Sequence, residues 1–411
     1  MNDLRLAEIL PYRPKSPHRV TKKGDKMAVR NGLCLFRLVG IMTCNPQKRI
    51  MSNPAESLVG QKVNDRWLVI EKIDLKQEES TGGFFSVPYR VKDVKTGERA
   101  FLKVIDLLTA MTRYTSSGVS IADALNRVTS SHLFEVALAE ACGEKKLDRI
   151  VRALDHGQVT LNTVLGVTPF PYIVFELADC DAHKLMKLSR QNDMAWRFRL
   201  LHQVAVGIQQ LHGIGIAHQD LKRSNVVFFG DDVSKLADLG RAVRKNASSL
   251  NDFREIPCQL QNAPLELLYG YQHPEWEFRH LATDLYLLGN FEFVLFYNVP
   301  ITLAIMEFLP SAFLPEPFNR ARGSLPYAGT FQDALPALQN SFSKVLGEIG
   351  PHLPDGLRSI YITTLEQLCN PDPEKRGHPK DRALAHGQRF SLQRYIPAFH
   401  RMSKIAEQLA T

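Results

Sequence analysis

Two short stretches hold the residues best suited to chemistry. In Ile216-Ala217-His218-Gln219-Asp220-Leu221-Lys222-Arg223-Ser224-Asn225-Val226-Val227-Phe228-Phe229, apolar runs flank a loop with an Asp, a Lys and an Asn at fixed offsets. Asp238 follows at a hairpin's distance, in Ser234-Lys235-Leu236-Ala237-Asp238-Leu239-Gly240. These types at this spacing suit phosphoryl transfer from a nucleotide. Asp220 can accept the proton of an attacking hydroxyl, and Lys222 can lie against the moving phosphoryl group. Asn225 and Asp238 can supply oxygen to Mg²⁺, which takes few protein ligands and keeps phosphate oxygens as the remainder.

The run His218 to Asn225 and the triplet Asp238-Leu239-Gly240 resemble the catalytic loop and metal-binding turn of the eukaryotic-type protein kinases, H-R-D-L-x-x-x-N and D-F-G. Further resemblances follow in family order. Ala263-Pro264-Leu265-Glu266 is similar to the A-P-E segment with one extra residue, Asp284 to a helix Asp beneath the catalytic loop, and Arg376 to the buried partner of Glu266. The resemblance spans roughly residues 60 to 385. It implies an α+β, bilobal fold: a small antiparallel β-sheet lobe with one long helix, then a mainly helical lobe. The expected divisions are an N-terminal extension over 1–56, the small lobe over 57–175 and the large lobe over 176–411. Lys222 is the choice of Ser/Thr-directed members. The implied activity is transfer of the γ-phosphate of ATP to Ser or Thr hydroxyls of protein substrates, with Mg²⁺, or Mn²⁺ in its place.

The elements that must position these groups read as strands first. Trp67 to Ile73, Phe84 to Lys92 and Arg99 to Ile105 are β-like, with a turn at Thr81-Gly82-Gly83. By resemblance Lys103 grips the nucleotide phosphates. Counting back from Val87 puts the three glycine positions of the phosphate loop at Ser80, Gly82 and Phe85, so only Gly82 keeps the small residue that lets backbone approach phosphate. Phe101 stands where relatives carry a small Ala and is expected to narrow the adenine pocket. Residues 107–132 read as an unusually long link, followed by a helix through Leu133 to Cys142. Its Glu must face the sheet to pair with Lys103. Leu138, Ala139 and Cys142 put an apolar face beside Glu135, whereas Glu140 lacks one and reads as a surface carboxylate.

Ile150 to Leu154 and Tyr172 to Ala178 read as the last strands of this lobe. The resemblance implies that Phe175 gates the pocket, that the Glu176 carbonyl and Ala178 amide pair with adenine, and that Asp181 reaches the ribose. Ala195 to His212 reads as a core helix, His218 as a packing histidine, and Phe390 to Ala410 as an amphipathic helix packed on the large lobe. Gln219 replaces the Arg that normally holds a phosphate on the activation segment. With the short segment from Gly240 to Ala263, this implies no need for phosphorylation there and resembles stand-alone bacterial members.

The net charge of +8 lies entirely in residues 1–50, which hold eleven Lys/Arg against three acids. The rest is balanced, so no specific nucleic-acid surface is expected on the folded body. The leader, rich in Pro and Lys, reads as disordered, and Met51-Ser52-Asn53-Pro54 resembles a protein start. No apolar run approaches the roughly 18 residues of a membrane span. The six cysteines show no C-x-x-C pair, as in free thiols of a reducing cytoplasm. Two alternatives stand beside the enzyme: a pseudokinase scaffold, favoured by the eroded glycine loop and Phe101, and a kinase-fold small-molecule phosphotransferase.

Overall fold

The computed structural model describes residues 53–74, 86–163, 166–188, 193–248, 251–252, 254–316, 318–321, 323, 325, 327–384 and 388–410. A twisted antiparallel sheet forms the first layer. Its strands are β1 (Lys62–Val63), β2 (Trp67–Lys72), β3 (Ser86–Asp93), β4 (Arg99–Ile105), β5 (Ala153–Thr163) and β6 (Gly166–Glu176), in the spatial order 1-2-3-4-6-5. Alternation along β4 sends Ala100, Leu102 and Val104 into a core with Trp67, Tyr89 and Tyr172, and leaves Phe101 and Lys103 on the other face. The β5–β6 hairpin runs well beyond the two short strands expected from sequence. Ile150 instead bridges Leu236 in the large lobe.

Between β4 and β5 lie α1 (Leu107–Ser116) and α2 (Ile121–Glu144). The expected link over 107–132 is therefore mostly helical. Asp106 caps α1 by accepting from the Thr109 amide, and Ser120 caps α2 by accepting from the Asp123 amide. The buried face of α2 starts with Ala124, Val128 and His132, ahead of the helix expected from sequence, and continues through Glu135, Val136, Leu138, Ala139 and Cys142. Residues 53–56, assigned from sequence to the disordered extension, are folded: Pro54–Glu56 is a 3-10 turn, and the Tyr89 hydroxyl donates to the Ala55 carbonyl at 2.6 Å.

The second layer is helical. After β7 (Cys180–Asp181) and α3 (Ala182–Leu188) comes α4 (Met194–Gly213), which leads into β8 (Ile216–Ala217), β9 (Val226–Phe229), β10 (Val233–Leu236) and β11 (Val243–Arg244). Then follow α5 (Leu265–Leu268) and α6 (Trp276–Tyr297). From His280 to Tyr297 every residue of α6 is buried, so this helix has no solvent face and forms the axis of the lobe. No single helix among the described residues is long and apolar enough to cross a membrane. The last helix, Tyr395–Ala410, begins five residues later than expected and packs Phe399 and Met402 into the same core.

Two buried charged groups fix the loops of this lobe. Arg376 is fully buried and donates through Nη1 to Glu266 Oε1 at 2.6 Å, with Nη2 on the second carboxylate oxygen. The fork clamps α5 to the turn after the helix Asp355–Leu368. Asp284 on α6 is completely buried and accepts four bonds. Its Oδ2 takes the His218 amide at 2.7 Å and His212 Nε2 at 2.9 Å, and its Oδ1 takes the Gln219 amide at 2.8 Å and Gln219 Nε2 at 3.0 Å. Gln219 has φ +66°, a strained conformation for a residue with a long side chain, and these bonds hold it there. Burial alone would raise the Asp284 pKa; the bond and charge of His212, the charge of His218 and the Gln219 amide outweigh it and hold the carboxyl below its ordinary range.

Replacing Arg376 by Ala leaves a buried Glu266 charge and is expected to cost about 3–5 kcal/mol in urea unfolding. Asp284→Asn is expected to lose about 1–3 kcal/mol at neutral pH. Because the native carboxyl titrates below its unfolded value, its contribution is complete above about pH 4 and is lost as pH falls through the lower folded value. The stability gap between wild type and Asp284→Asn should therefore be flat from pH 5 to 8 and close only in stronger acid.

Candidate active site

The open face of β4 turns toward the cleft between the layers. Register sets its neighbours: Pro88 lies opposite Lys103, Arg90 opposite Phe101, and Val87 opposite Val104. Val87 is consequently buried in the sheet core, and Ser86, Pro88 and Arg90 face the cleft. The sequence assignment of Val87 to the nucleotide surface is corrected here, since in a strand a one-residue slip moves every side chain to the other face. Counting back from Pro88 moves the three loop positions to Thr81, Gly83 and Ser86. Gly82 lies outside the described residues.

Three segments far apart in sequence meet at the Lys103 ammonium. Nζ is 2.7 Å from Glu135 Oε1 on α2 and 3.2 Å from Asp238 Oδ1. Glu135 is the carboxylate expected from its helical face, and Glu140 is indeed peripheral, exposed and 3.0 Å from His156 Nε2. Burial alone would lower the Lys103 pKa, but the charges of Asp238 and Glu135 outweigh it, so the amine stays firmly protonated. Asp238 is held below its ordinary value against its own burial, first by the charge of Lys103 and then by that of Lys222. Its backbone has φ +63°, a region that Asp tolerates better than most residues. Gly240 makes the approach possible: a Cβ there would lie 3.2 Å from Asp238 Oδ1 and 3.6 Å from Glu135 Oε2.

Asp220, Lys222 and Asn225 form a second buried group on the loop that Asp284 supports. Lys222 Nζ donates to Asp220 Oδ2 at 2.9 Å, and Asn225 Nδ2 donates to the Asp220 carbonyl at 2.9 Å. The bonds of its amide nitrogen fix which way the Asn225 side chain points. His218 is fully buried, as expected: Nδ1 accepts from the Asp220 amide at 3.2 Å, and Nε2 lies 3.2 Å from the Ala237 carbonyl. Gln219 turns beneath the loop. Its Nε2 donates to the His280 carbonyl at 2.9 Å, and its Oε1 lies 3.0 Å from His280 Nδ1. Burial and the adjacent Arg279 push His280 down to about 4, so the ring is neutral and Nδ1–H donates to Gln219.

Arg241, which sequence reading passed over, places Nη1 3.7 Å from Asp220 Oδ1 and donates to the Pro257 carbonyl at 2.6 Å. Its sequence signal was its place directly after Gly240; its contact with Asp220 depends on how the following segment folds back.

The cleft encloses about 370 Å³ and is lined by Phe101, Lys103, Phe175, Glu176, Ala178 and Asp181 on one side and by Asn225 and Asp238 on the other. The volume lies within the range of small-molecule sites, so the Phe101 ring in its lining does not close the pocket. Glu176 carries its charge outside the adenine role expected of its backbone: Oε1 accepts from Lys235 Nζ at 2.6 Å and from the Arg152 amide at 2.9 Å. Asp181 Oδ1 accepts from the Lys184 amide at 2.7 Å at the start of α3.

Comparison with known proteins agrees with this architecture. The protein kinase domain family matches residues 81–258. The serine/threonine-protein kinase NLK2 of Xenopus laevis is 28% identical over 231 residues, covering 52% of this chain and 47% of that protein. The stress-activated protein kinase JNK of Suberites domuncula is 34% identical over 105 residues, 25% of this chain and 28% of that protein. The cyclin-dependent kinase G-2 of Oryza sativa subsp. indica is 24% identical over 330 residues, 74% of this chain and 39% of that protein. The chain thus spans about half the length, or less, of the curated relatives it matches. The family match thus falls on the cleft and its motifs: residues 81–258 are similar to the protein kinase domain, and the relatives that the chain resembles are Ser/Thr protein kinases.

Proposed function

We propose that the protein transfers the γ-phosphate of ATP to Ser or Thr hydroxyls of protein substrates. The observation that carries this reading is the convergence of Glu135 and Asp238 on the Lys103 ammonium in a cleft that Asn225 also lines. Apolar residues of similar volume would often be at least as stable as this buried ion cluster, which favours a ligand-binding role over a purely structural one. Adenine is assigned to the segment Phe175, Glu176 and Ala178, the ribose to Asp181, and the phosphates to Lys103.

The donor set also fits a magnesium ion. Asp238 and Asn225 offer hard oxygens to the same cavity, and Asp238 stays ionised. Mg²⁺, or Mn²⁺, bound by these two residues would offset the charge of the triphosphate. The chain's own groups then do the rest. Asp220 accepts the proton of the acceptor hydroxyl as its oxygen bonds to the γ-phosphorus. The bond from phosphorus to the bridging oxygen breaks, and ADP departs with the electron pair. Lys222 and Lys103 offset charge on the transferring group, so positioning and electrostatics supply most of the acceleration.

Gln219 spends its amide on Asp284 and His280, which supports a catalytic loop ordered from below and without a phosphate on the segment 241–263. A cytoplasmic site of action follows from the same reading. In a radiolabelled-ATP assay with a protein acceptor, Asp220→Ala is expected to lower kcat by about 10²–10⁴-fold. Nucleotide affinity, followed by calorimetry, should hold within about twofold, because Asp220 faces the acceptor. Transfer by the variant at the wild-type rate would remove Asp220 from the mechanism.

A further inference from the structure

Beyond the nucleotide cleft, the described residues enclose a larger cavity of about 630 Å³ on the acceptor side. The two cavities share Asp181 and Ser224 in their walls, so they adjoin at the loop that follows Asp220. Lys222 lines the larger one while its Nζ contacts Asp220, so a chain lying in this groove reaches the catalytic carboxylate.

The chemistry of the groove is one-sided. His183, Lys222 and Arg223 line it, and Asp181 is its single carboxylate among the described residues, with Oδ1 already taken by the Lys184 amide. Arg223 is tied down by donating to Asn298 Oδ1 at 2.6 Å, and Asn298 is the left-handed residue that ends α6. The opposite wall is built of amides in a fixed chain: Asn290 Oδ1 accepts from the Ile301 amide at 2.9 Å, Asn290 Nδ2 donates to Asn262 at 3.2 Å, and Asn262 donates to Gln259 at 3.1 Å. This wall bears dipoles and no charge. On the other flank of Asp220 stands Arg241 at 3.7 Å. An acceptor segment threaded past Asp220 therefore meets Arg223 on one side and Arg241 on the other, with Asp181 and Asp220 as the carboxylates along its path.

We infer that the acceptor groove selects acidic segments: Ser or Thr hydroxyls with Asp or Glu within a few residues, and against Lys or Arg there. This deepens the kinase reading and rests on it. A carboxylate on the acceptor can pair with Arg223 or Arg241, whereas a Lys brings like charges together in a partly desolvated groove, which costs far more than a rim contact gains. Arg223 acts as a specificity-determining residue, and its tether to α6 limits the rotamer freedom that would blunt the selection.

The test uses the full chain and three synthetic Ser peptides that differ only in their flanks, Glu, Gln or Lys. Binding is read by fluorescence anisotropy, and transfer from Mg-ATP by radiolabel. The Glu peptide should bind about tenfold more tightly than the Lys peptide, with the difference appearing in KM more than kcat and shrinking in high salt. Arg223→Glu should reverse or erase the order, and a gain for the Lys peptide cannot come from misfolding. Equal binding of the three peptides, or tighter binding of the Lys peptide by wild type, overturns the inference. Preferential binding of the Glu peptide without transfer to any peptide would support the groove assignment while contradicting the kinase reading.

Discussion

A single buried ammonium organises the cleft. Lys103 comes from a strand, Glu135 from a helix 32 positions later, and Asp238 from a turn 135 positions away. None of these groups is tolerable alone in the low-dielectric gap between the layers, since an unpaired buried charge costs several kcal/mol. Each is therefore a constraint on the others. The strand must present its odd residues to the cleft, α2 must present Glu135 inward, and the turn at Asp238 must take a positive φ with glycine two residues on. The small lobe, the long helix and the hairpin β9–β10 are arranged by that demand.

The large lobe answers a second demand, which is to hold an irregular backbone still. The loop 218–225 has little regular hydrogen bonding of its own. Asp284 supplies it from beneath, and α6, buried all round, keeps Asp284 rigid. Glu266 and Arg376 do the same for the segment that closes the acceptor side. These carboxylates are buried, and the bonds of Asp284 to the His218 and Gln219 amides fix where the loop carrying Asp220 and Lys222 stands. Dry, fully hydrogen-bonded anchors suit a site whose chemistry is mostly positioning, because small displacements of the reacting groups are expensive.

Much of this was legible in the sequence where spacing is local. Asp220, Lys222 and Asn225 sit within one loop, so their offsets alone placed them together. Glu135 was separable from Glu140 because helical period puts Leu138, Ala139 and Cys142 on one face. What failed was whatever depended on small side chains or on tertiary register. The start of α2 and all of α1 were hidden because each buries few residues, Leu107 and Ala110 in α1 and Ala124 and Val128 at the start of α2. Val87 was assigned to the cleft because β3 was anchored by its motif and not by its partner; the pairing with Val104 turns it to the core. Arg241 was missed because its distance from Asp220 follows from the fold of residues 241–263, which no local pattern encodes.

The role proposed for the Lys103–Glu135–Asp238 cluster is to bind a metal–triphosphate and deliver its terminal phosphoryl group. The most direct measurement is Mg²⁺-dependent transfer of labelled γ-phosphate from ATP to a Ser-containing protein by wild type and by Asp238→Asn, with nucleotide binding followed in parallel. Wild type should bind Mg-ATP and transfer phosphate, and the isosteric variant should lose transfer together with the magnesium dependence of binding. Absence of Mg-ATP binding in wild type, or equal transfer by the variant, would contradict it.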